Sequence, residues 1–380
     1  MNILQISFHT APMNSLGVND GGGLNVYVEA VSKELAKDNT VHILTGEQAK
    51  NINKKNLKLN SFNLFSNQEN IDEKKKFLDV FIEQAFQYVE EHEIDVIHAH
   101  YWLSGLVAKK IKEKYKIPFI FTSHSLGVFV QENNLDRISS EKEIFNAADK
   151  VTASSIFEKE NLLNRYGVNK LKIHIVTPGL NKKTFKAYRG EKRNNIILSV
   201  GRIQKQKGQL QTLDLFKSLQ YRIKGLELIF VGGPSGADGE SYLNKMKNRI
   251  EELRIEEDVQ FVGSLSQKKL VKLMRKSKLL IHSAENETFG LVAIEAHRLG
   301  VPVLSTNQGS FKELISNNEN GLVAKSFDDV QVYNFIIKLF EEAEYRSQLI
   351  NSSVKNSLEF NWEITAQNLK KAYKSLYIIR

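Results

Sequence analysis

Two carboxylates stand inside a segment that otherwise reads as core. Residues 282–306, HSAENETFGLVAIEAHRLGVPVLST, are mostly apolar, yet Glu287 and Glu295 sit there with seven residues between them. Glutamate is rarely buried without a partner. The pattern predicts a helix from about Phe289, with Glu287 in the loop before it and Glu295 one to two turns in. The backbone N–H groups of Phe289, Gly290 and Leu291 are then helix-start donors, suited to a phosphate. A carboxylate on each side of that phosphate can accept from hydroxyls. Stabilisation by the helix macrodipole alone accounts for Glu287 but not for the apolar setting of Glu295.

Other clusters follow strand-like runs. In SVGRIQKQKG, Gly201 ends a strand, and Arg202 and Lys207 lie in the loop before a helix, a pattern suited to a diphosphate or simply to a solvated basic loop. In VNDGGGLNVYV, Gly21, Gly22 and Gly23 precede a helical pattern and let backbone N–H groups approach an anion. His9 follows the first strand, and His124 ends the run FIFTSHSLG, where a binding histidine or a satisfied structural one would sit. In HAHYWLSG, His98 and His100 share one face of a strand, as a metal pair would. No acidic third ligand lies nearby, so no metal site is assigned, and packing by Trp102 and polar contact by Tyr101 are the preferred roles.

These loops need elements to hold them. Apolar runs alternate with helical patterns along the chain: NILQIS, VHILTG, DVIHAH, PFIFTS, KVTAS and IHIVTP, then NIILSVGRI, LELIFVGG, VQFVGSL, LLIHSA, VPVLST and GLVAK. Such runs predict parallel sheets covered on both faces. The polar, basic stretch between the two sets reads as a linker over 179–194. The fold class is therefore α/β, with two doubly wound Rossmann-like domains facing across a cleft. The first is 1–178, completed by a C-terminal helix over about 361–380; the second is 195–360.

Composition narrows the function. The 380 residues are 41% hydrophobic and 26% charged, as in a globular protein of about two domains. Cysteine is absent, which removes disulfides, thiolate metal sites and cysteine nucleophiles. No membrane span and no signal peptide is read, and the expected location is cytoplasmic. The net charge of +9 suits a lysine-rich surface, a site for polyanionic small molecules, or an anionic membrane surface. No nucleic-acid motif accompanies it, and no basic amphipathic helix is evident, so membrane contact is not favoured. A nicotinamide oxidoreductase needs a tight glycine turn directly after a strand and a ribose-binding acid about 20 residues on, and neither is present. A two-lobed solute-binding protein would carry an export signal.

Together these pieces resemble the retaining glycosyltransferases of family four, which have the two-Rossmann-domain (GT-B) architecture. Their paired-glutamate signature reads here Glu287-Thr-Phe-Gly-Leu-Val-Ala-Ile-Glu295. HTAPMNSLGVNDGGGLNVYV, HAHYWLSG and VGGPSGADG are similar to the inositol-3-phosphate N-acetylglucosaminyltransferase branch, and SHSLG to the sucrose-phosphate synthase branch. The resemblance implies transfer of a hexose or N-acetylhexosamine from a nucleotide sugar, UDP-glucose or UDP-N-acetylglucosamine, to a small phosphorylated sugar or polyol. The alternative is an unphosphorylated sugar, aminocyclitol, lipid or glycan acceptor. It implies that Glu287 holds the transferred sugar, Glu295 the ribose, and Arg202 and Lys207 the diphosphate. Gly22, Gly23, Gly201, Phe289, Gly290 and Leu291 would complete the donor site. His124 would lie near the reacting centre, and His9, Asn25, Tyr101, Ser125 and Arg137 would line the acceptor site. Magnesium is not required, nucleic acid is not a partner, and the protein is a monomer or homodimer. Two positions depart from the pattern. Val128 and Phe129 stand where the sucrose-phosphate branch has a basic residue, and Lys74 to Lys76 are offset from the lysine of the inositol-phosphate branch.

Overall fold

The computed structural model describes residues 1–13, 22–130, 134–236 and 238–377; Gly21 lies outside them. The chain divides into two compact units, Met1–Gly179 with Trp362–Arg380, and Leu180–Asn361.

The first unit is built on eight strands: β1 Asn2–Ile6, β2 Thr40–Glu47, β3 Ile52–Lys54, β4 Leu57–Phe65, β5 Val96–His100, β6 Phe119–Thr122, β7 Lys150–Ala153 and β8 Ile173–Ile175. Their order is β3-β4-β2-β1-β5-β6-β7-β8, parallel throughout except for the β3–β4 hairpin. All six predicted strands form. The hairpin was not predicted, because β4 alternates buried and half-exposed residues and so lacks a continuous apolar run. Helices α1 Gly23–Leu35, α2 Ile71–Lys75, α3 Leu78–Glu90, α4 Trp102–Tyr115, α5 Leu135–Ala147 and α6 Ile156–Tyr166 cover the sheet. β1 and β5 are buried almost end to end, as strands covered on both faces must be. The C-terminal helix Trp362–Ser375 packs on α1, and its Thr365 hydroxyl donates to the Thr177 carbonyl at 2.8 Å.

The second unit has six parallel strands: β9 Ile196–Val200, β10 Glu227–Val231, β11 Val259–Phe261, β12 Leu279–His282, β13 Val303–Thr306 and β14 Gly321–Ala324. Their order is β11-β10-β9-β12-β13-β14, the doubly wound order with a switch point between β9 and β12. Neighbouring residues of one strand serve opposite faces: Ile197 packs in one core cluster, and Ile196 and Leu198 in the other. Helices α7 Gln209–Gln220, α8 Gly239–Leu253, α9 Gln267–Lys276, α10 Leu291–Arg298, α11 Phe311–Leu314, α12 Val330–Glu341 and α13 Ala343–Asn356 complete it.

Two expectations need correction. Residues 180–194 are not a free linker but part of the second unit. Leu180 and Phe185 are buried in its core, and the Arg193 guanidinium donates to the carbonyls of Ser277 and Leu299, each at 2.6 Å. The basic residues between these anchors face solvent and mask them in the sequence. A basic amphipathic helix also exists. On α9, Lys268, Lys269, Lys272 and Lys276 are exposed, while Met274 is buried and Leu270, Val271 and Leu273 pack on the core. Its apolar side is covered by its own unit, so it does not offer that side to a bilayer. No helix among the described residues is long and apolar enough to cross a membrane.

Candidate functional site

In an open α/β sheet the ligand crevice lies beyond the carboxyl ends of the strands at the switch point. In the second unit that point is reached by the loops after β9 and β12. Gly208, at φ +63°, brings them together, since a Cβ there would stand 2.4 Å from the Ser283 carbonyl oxygen. The Ser283 hydroxyl donates to the Lys207 carbonyl at 2.8 Å, which fixes the backbone under the lysine. The Lys207 ammonium then reaches Glu287 Oε2 at 2.8 Å, with His282 Nε2 at 3.8 Å from the same oxygen. Gly201, Lys207, Gln209, His282 and Ser283 border an open hollow.

Charge follows from this geometry. Burial alone would raise the Glu287 carboxyl, but Lys207, His282 and Arg202 reverse that and hold it at about 2, so it is ionised. Burial lowers His282 to about 4 against the pull of Glu287, so the imidazole is neutral at pH 7. Arg202 is exposed and has no ion pair among the described residues. Glu295 lies on α10 with no charged partner among the described residues, and burial pushes its carboxyl up to about 8. The two carboxylates thus differ at neutral pH: Glu287 is charged and Glu295 is mostly protonated.

The helix between them starts two residues later than expected, at Leu291, so Phe289 precedes its cap. Gly290 caps α10 at φ +83°, where a Cβ would meet the Phe311 ring at 2.7 Å. The first backbone bond into the helix runs from Ala293 N–H to the Gly290 carbonyl. The N–H groups of Phe289, Gly290 and Leu291 have no backbone acceptor outside the helix among the described residues. Phe289 itself is buried in the core.

In the first unit the corresponding loops follow β1 and β5. Tyr101 begins α4 at φ +74°, and His124, after β6, has φ +58°. Such backbone is costly for residues with side chains and concentrates at functional sites. Arg137 on α5 is buried and forked: its guanidinium donates to Glu141 Oε1 at 2.8 Å, the Ser125 carbonyl and hydroxyl at 2.9 and 3.0 Å, and the Tyr101 hydroxyl at 3.3 Å. Glu141 also accepts from the Gly127 N–H and the Tyr166 hydroxyl. Burial disfavours the Arg137 charge, but Tyr101 and Glu141 outweigh it and strengthen the cation. The His9 ring lies on the Tyr101 ring at 4.4 Å, and Asn25 accepts from the Thr10 hydroxyl at 2.9 Å.

Each predicted residue therefore has a place. His9, Tyr101, Ser125 and Arg137 form one connected cluster in the first unit. Asn25 joins the β1 loop, His124 joins His100, and Gly22 and Gly23 open α1. Gly201, Arg202, Lys207, Glu287, Phe289, Gly290, Leu291 and Glu295 belong to the second unit. One residue was set aside as offset and one was missed. Lys74 is fully buried and its ammonium donates to the His9 carbonyl at 3.0 Å, so the lysine that looked offset in sequence is adjacent in space. Glu141 stands four residues after Arg137, a helical spacing that could have announced the pair. His98 and His100 do share one face, with rings 4.2 Å apart. They bond to Tyr373, Thr122, Gln5 and His124.

Comparison with known proteins bears on the family and the fold. Residues 21–183 match the family described as Glycosyltransferase Family 4, and residues 181–356 match Glycosyl transferases group 1. The chain is 27% identical to the D-inositol 3-phosphate glycosyltransferase of Frankia alni over 96% of this chain and 97% of the relative. It is 27% identical to that of Corynebacterium glutamicum over 98% and 96%. Among solved structures it resembles sucrose-phosphate synthase from Thermosynechococcus elongatus, with TM-score 0.87, 24% identity and full coverage of both chains. It also resembles Anabaena HepE solved with UDP and glucose, with TM-score 0.78, 18% identity, and 98% and 99% coverage. The chain is an enzyme of the group 1, family 4 glycosyltransferases, with the doubly wound units of the GT-B fold.

Proposed function

We propose that the protein transfers a hexose or N-acetylhexosamine from a UDP-sugar, with retention at the anomeric carbon, to a small phosphorylated sugar or polyol. The observation that carries the donor assignment is the free α10 start between an ionised Glu287 and a protonated Glu295, with Arg202 unpaired nearby. In this reading the diphosphate takes the helix N–H groups and Arg202, with Lys207 shared between it and Glu287. Glu287 Oε1 accepts from the transferred sugar and Glu295 from the ribose. On the acceptor side, the Arg137 fork with Ser125, Tyr101 and Lys74 suits a phosphate such as that of fructose 6-phosphate or inositol phosphate.

The bond from the anomeric carbon to the diphosphate breaks through an oxocarbenium-like state. The acceptor oxygen bonds to the same face, and its proton passes to the departing phosphate oxygen. Positive charge comes from Arg202 and Lys207, so no metal ion is required. Nucleotide release should be measured for UDP-glucose, UDP-N-acetylglucosamine, GDP-mannose and ADP-glucose, each crossed with phosphorylated and neutral acceptors, with products weighed by mass spectrometry. The anomeric configuration should be read by NMR. Turnover with a phosphorylated acceptor and retained configuration is expected. Turnover with neutral acceptors alone would overturn the phosphate clamp, and an inverted product the front-face mechanism.

A further inference from the structure

The stretch VGGPSGADG follows β10, and nothing in the mechanism above uses it. It lies against the loop that carries Arg202 and Lys207. Two backbone bonds carry the pairing of β9 with β10 past the end of β9: the Gly201 N–H donates to the Val231 carbonyl and the Ile203 N–H to the Gly233 carbonyl, each at 2.9 Å. Gly232, at φ +133°, permits this approach, since a Cβ there would stand 2.0 Å from the Gly201 carbonyl oxygen. Further along, the Gln204 side-chain amide donates to the Ser235 carbonyl at 2.9 Å, and the Lys205 N–H to Asp238 Oδ2 at 3.0 Å. From the other side, the Gln209 amide donates to the Arg202 carbonyl at 2.8 Å, and the Glu285 N–H to the Gln206 carbonyl at 3.2 Å. Between β9 and Gly208 the chain makes only one 3-10 turn, so these neighbours supply hydrogen bonds that regular structure would otherwise provide.

Asp238 is the unusual member of this set. It occupies the N-cap of α8, where an aspartate ordinarily accepts from its own helix. Here its side chain makes no such bond, and its carboxylate accepts from Lys205 instead. Replacing it therefore takes no cap bond from α8. What it holds is the middle of the segment between the two cations. A cation stabilises a leaving diphosphate most when it is in place before charge develops, because nothing then has to reorganise. Arg202 is exposed and has no ion pair among the described residues, so its position is set through its backbone.

We propose that Asp238 is a positioning residue, which pins the loop of Arg202 and Lys207 and so presets both cations for the leaving diphosphate. This rests on the assignment of those two cations to the diphosphate.

The test is a double-mutant cycle on the full-length protein. Asp238→Ala removes the acceptor and should lower kcat about tenfold, with acceptor KM within about twofold. Asp238→Asn keeps an acceptor oxygen and should recover most of the rate. When Arg202 is already alanine, Asp238→Ala should cost about threefold or less, because its main route to the reaction is gone. A general loosening of the unit would instead cost the same in both backgrounds, and that result overturns the proposal, as does an unchanged kcat in Asp238→Ala. Hydrogen exchange at the Lys205 amide reads the bond without turnover: exchange should be faster in Asp238→Ala than in wild type, and equal rates would also overturn it. If the wild type transfers no sugar, or Arg202→Ala keeps the full rate, the diphosphate reading fails, while the exchange measurement still decides whether Asp238 pins the loop.

Discussion

Replacing Glu295 by glutamine should stabilise the protein, and more so as pH rises. The folded carboxyl titrates near 8 because burial penalises its charge, against an ordinary value of 4.5. A raised carboxyl makes the folded state hold its proton while the unfolded state has released it. Stability therefore falls as pH rises from about 4.5 to 8, and the full penalty persists above. At about 1.4 kcal/mol per pH unit, the shift amounts to roughly 5 kcal/mol at pH 9 and about 1 at pH 5. Glu295 is half-buried, so water access reduces the difference to about 2–4 kcal/mol. For a unit of this size that is roughly 5–15 °C in the melting temperature. Glutamine keeps the shape and never ionises, so its advantage over wild type should be small at pH 5 and several degrees at pH 9 by thermal unfolding. A flat difference across that range would refute the burial argument. Binding gives an independent check. If Glu295 must ionise to accept two ribose hydroxyls, UDP-glucose affinity should rise about tenfold per pH unit from 6 towards 8, and Glu295→Gln should remove that slope. A pH-independent affinity in the wild type would refute the ribose role.

Lys207→Met should lower kcat/KM by about 100-fold or more, since it removes charge from the leaving diphosphate and leaves Glu287 without its 2.8 Å partner; unchanged kinetics would end that role. It should also cost acid stability, because the depressed Glu287 carboxyl contributes stability that is complete above about 4.5 and lost only as pH falls towards 2. For the acceptor clamp, Arg137→Gln alone would strand a buried Glu141, so the double change Arg137→Gln with Glu141→Gln is the cleaner variant. It should raise KM for the phosphorylated acceptor at least tenfold and leave donor KM within about twofold. Equal acceptor KM would contradict the clamp.

The parts of this molecule that were legible in its sequence are those encoded by local composition. The parallel strands show as short apolar runs because both their faces are covered, and the loops that follow them were therefore placed correctly at the strand ends. β4 escaped because one of its faces stays half-exposed, so its apolar residues alternate with lysine, asparagine and serine. Glu295 was conspicuous for the same reason in reverse: a carboxylate in an apolar helix stripe has to be explained. Pairings formed by the fold were not legible. Lys74 reaches a carbonyl 65 residues away and Tyr373 bonds a histidine 275 residues away, and neither spacing has a local periodicity. His98 and His100 show the limit most clearly. Their shared face follows from the two-residue period of a strand, but their partners do not: Gln5, which bonds His100, is supplied by the register of β1 against β5. Spacing can say which side chains share a surface. What they do there is decided by the neighbours that topology delivers, and here those are Gln5, Thr122, His124 and Tyr373.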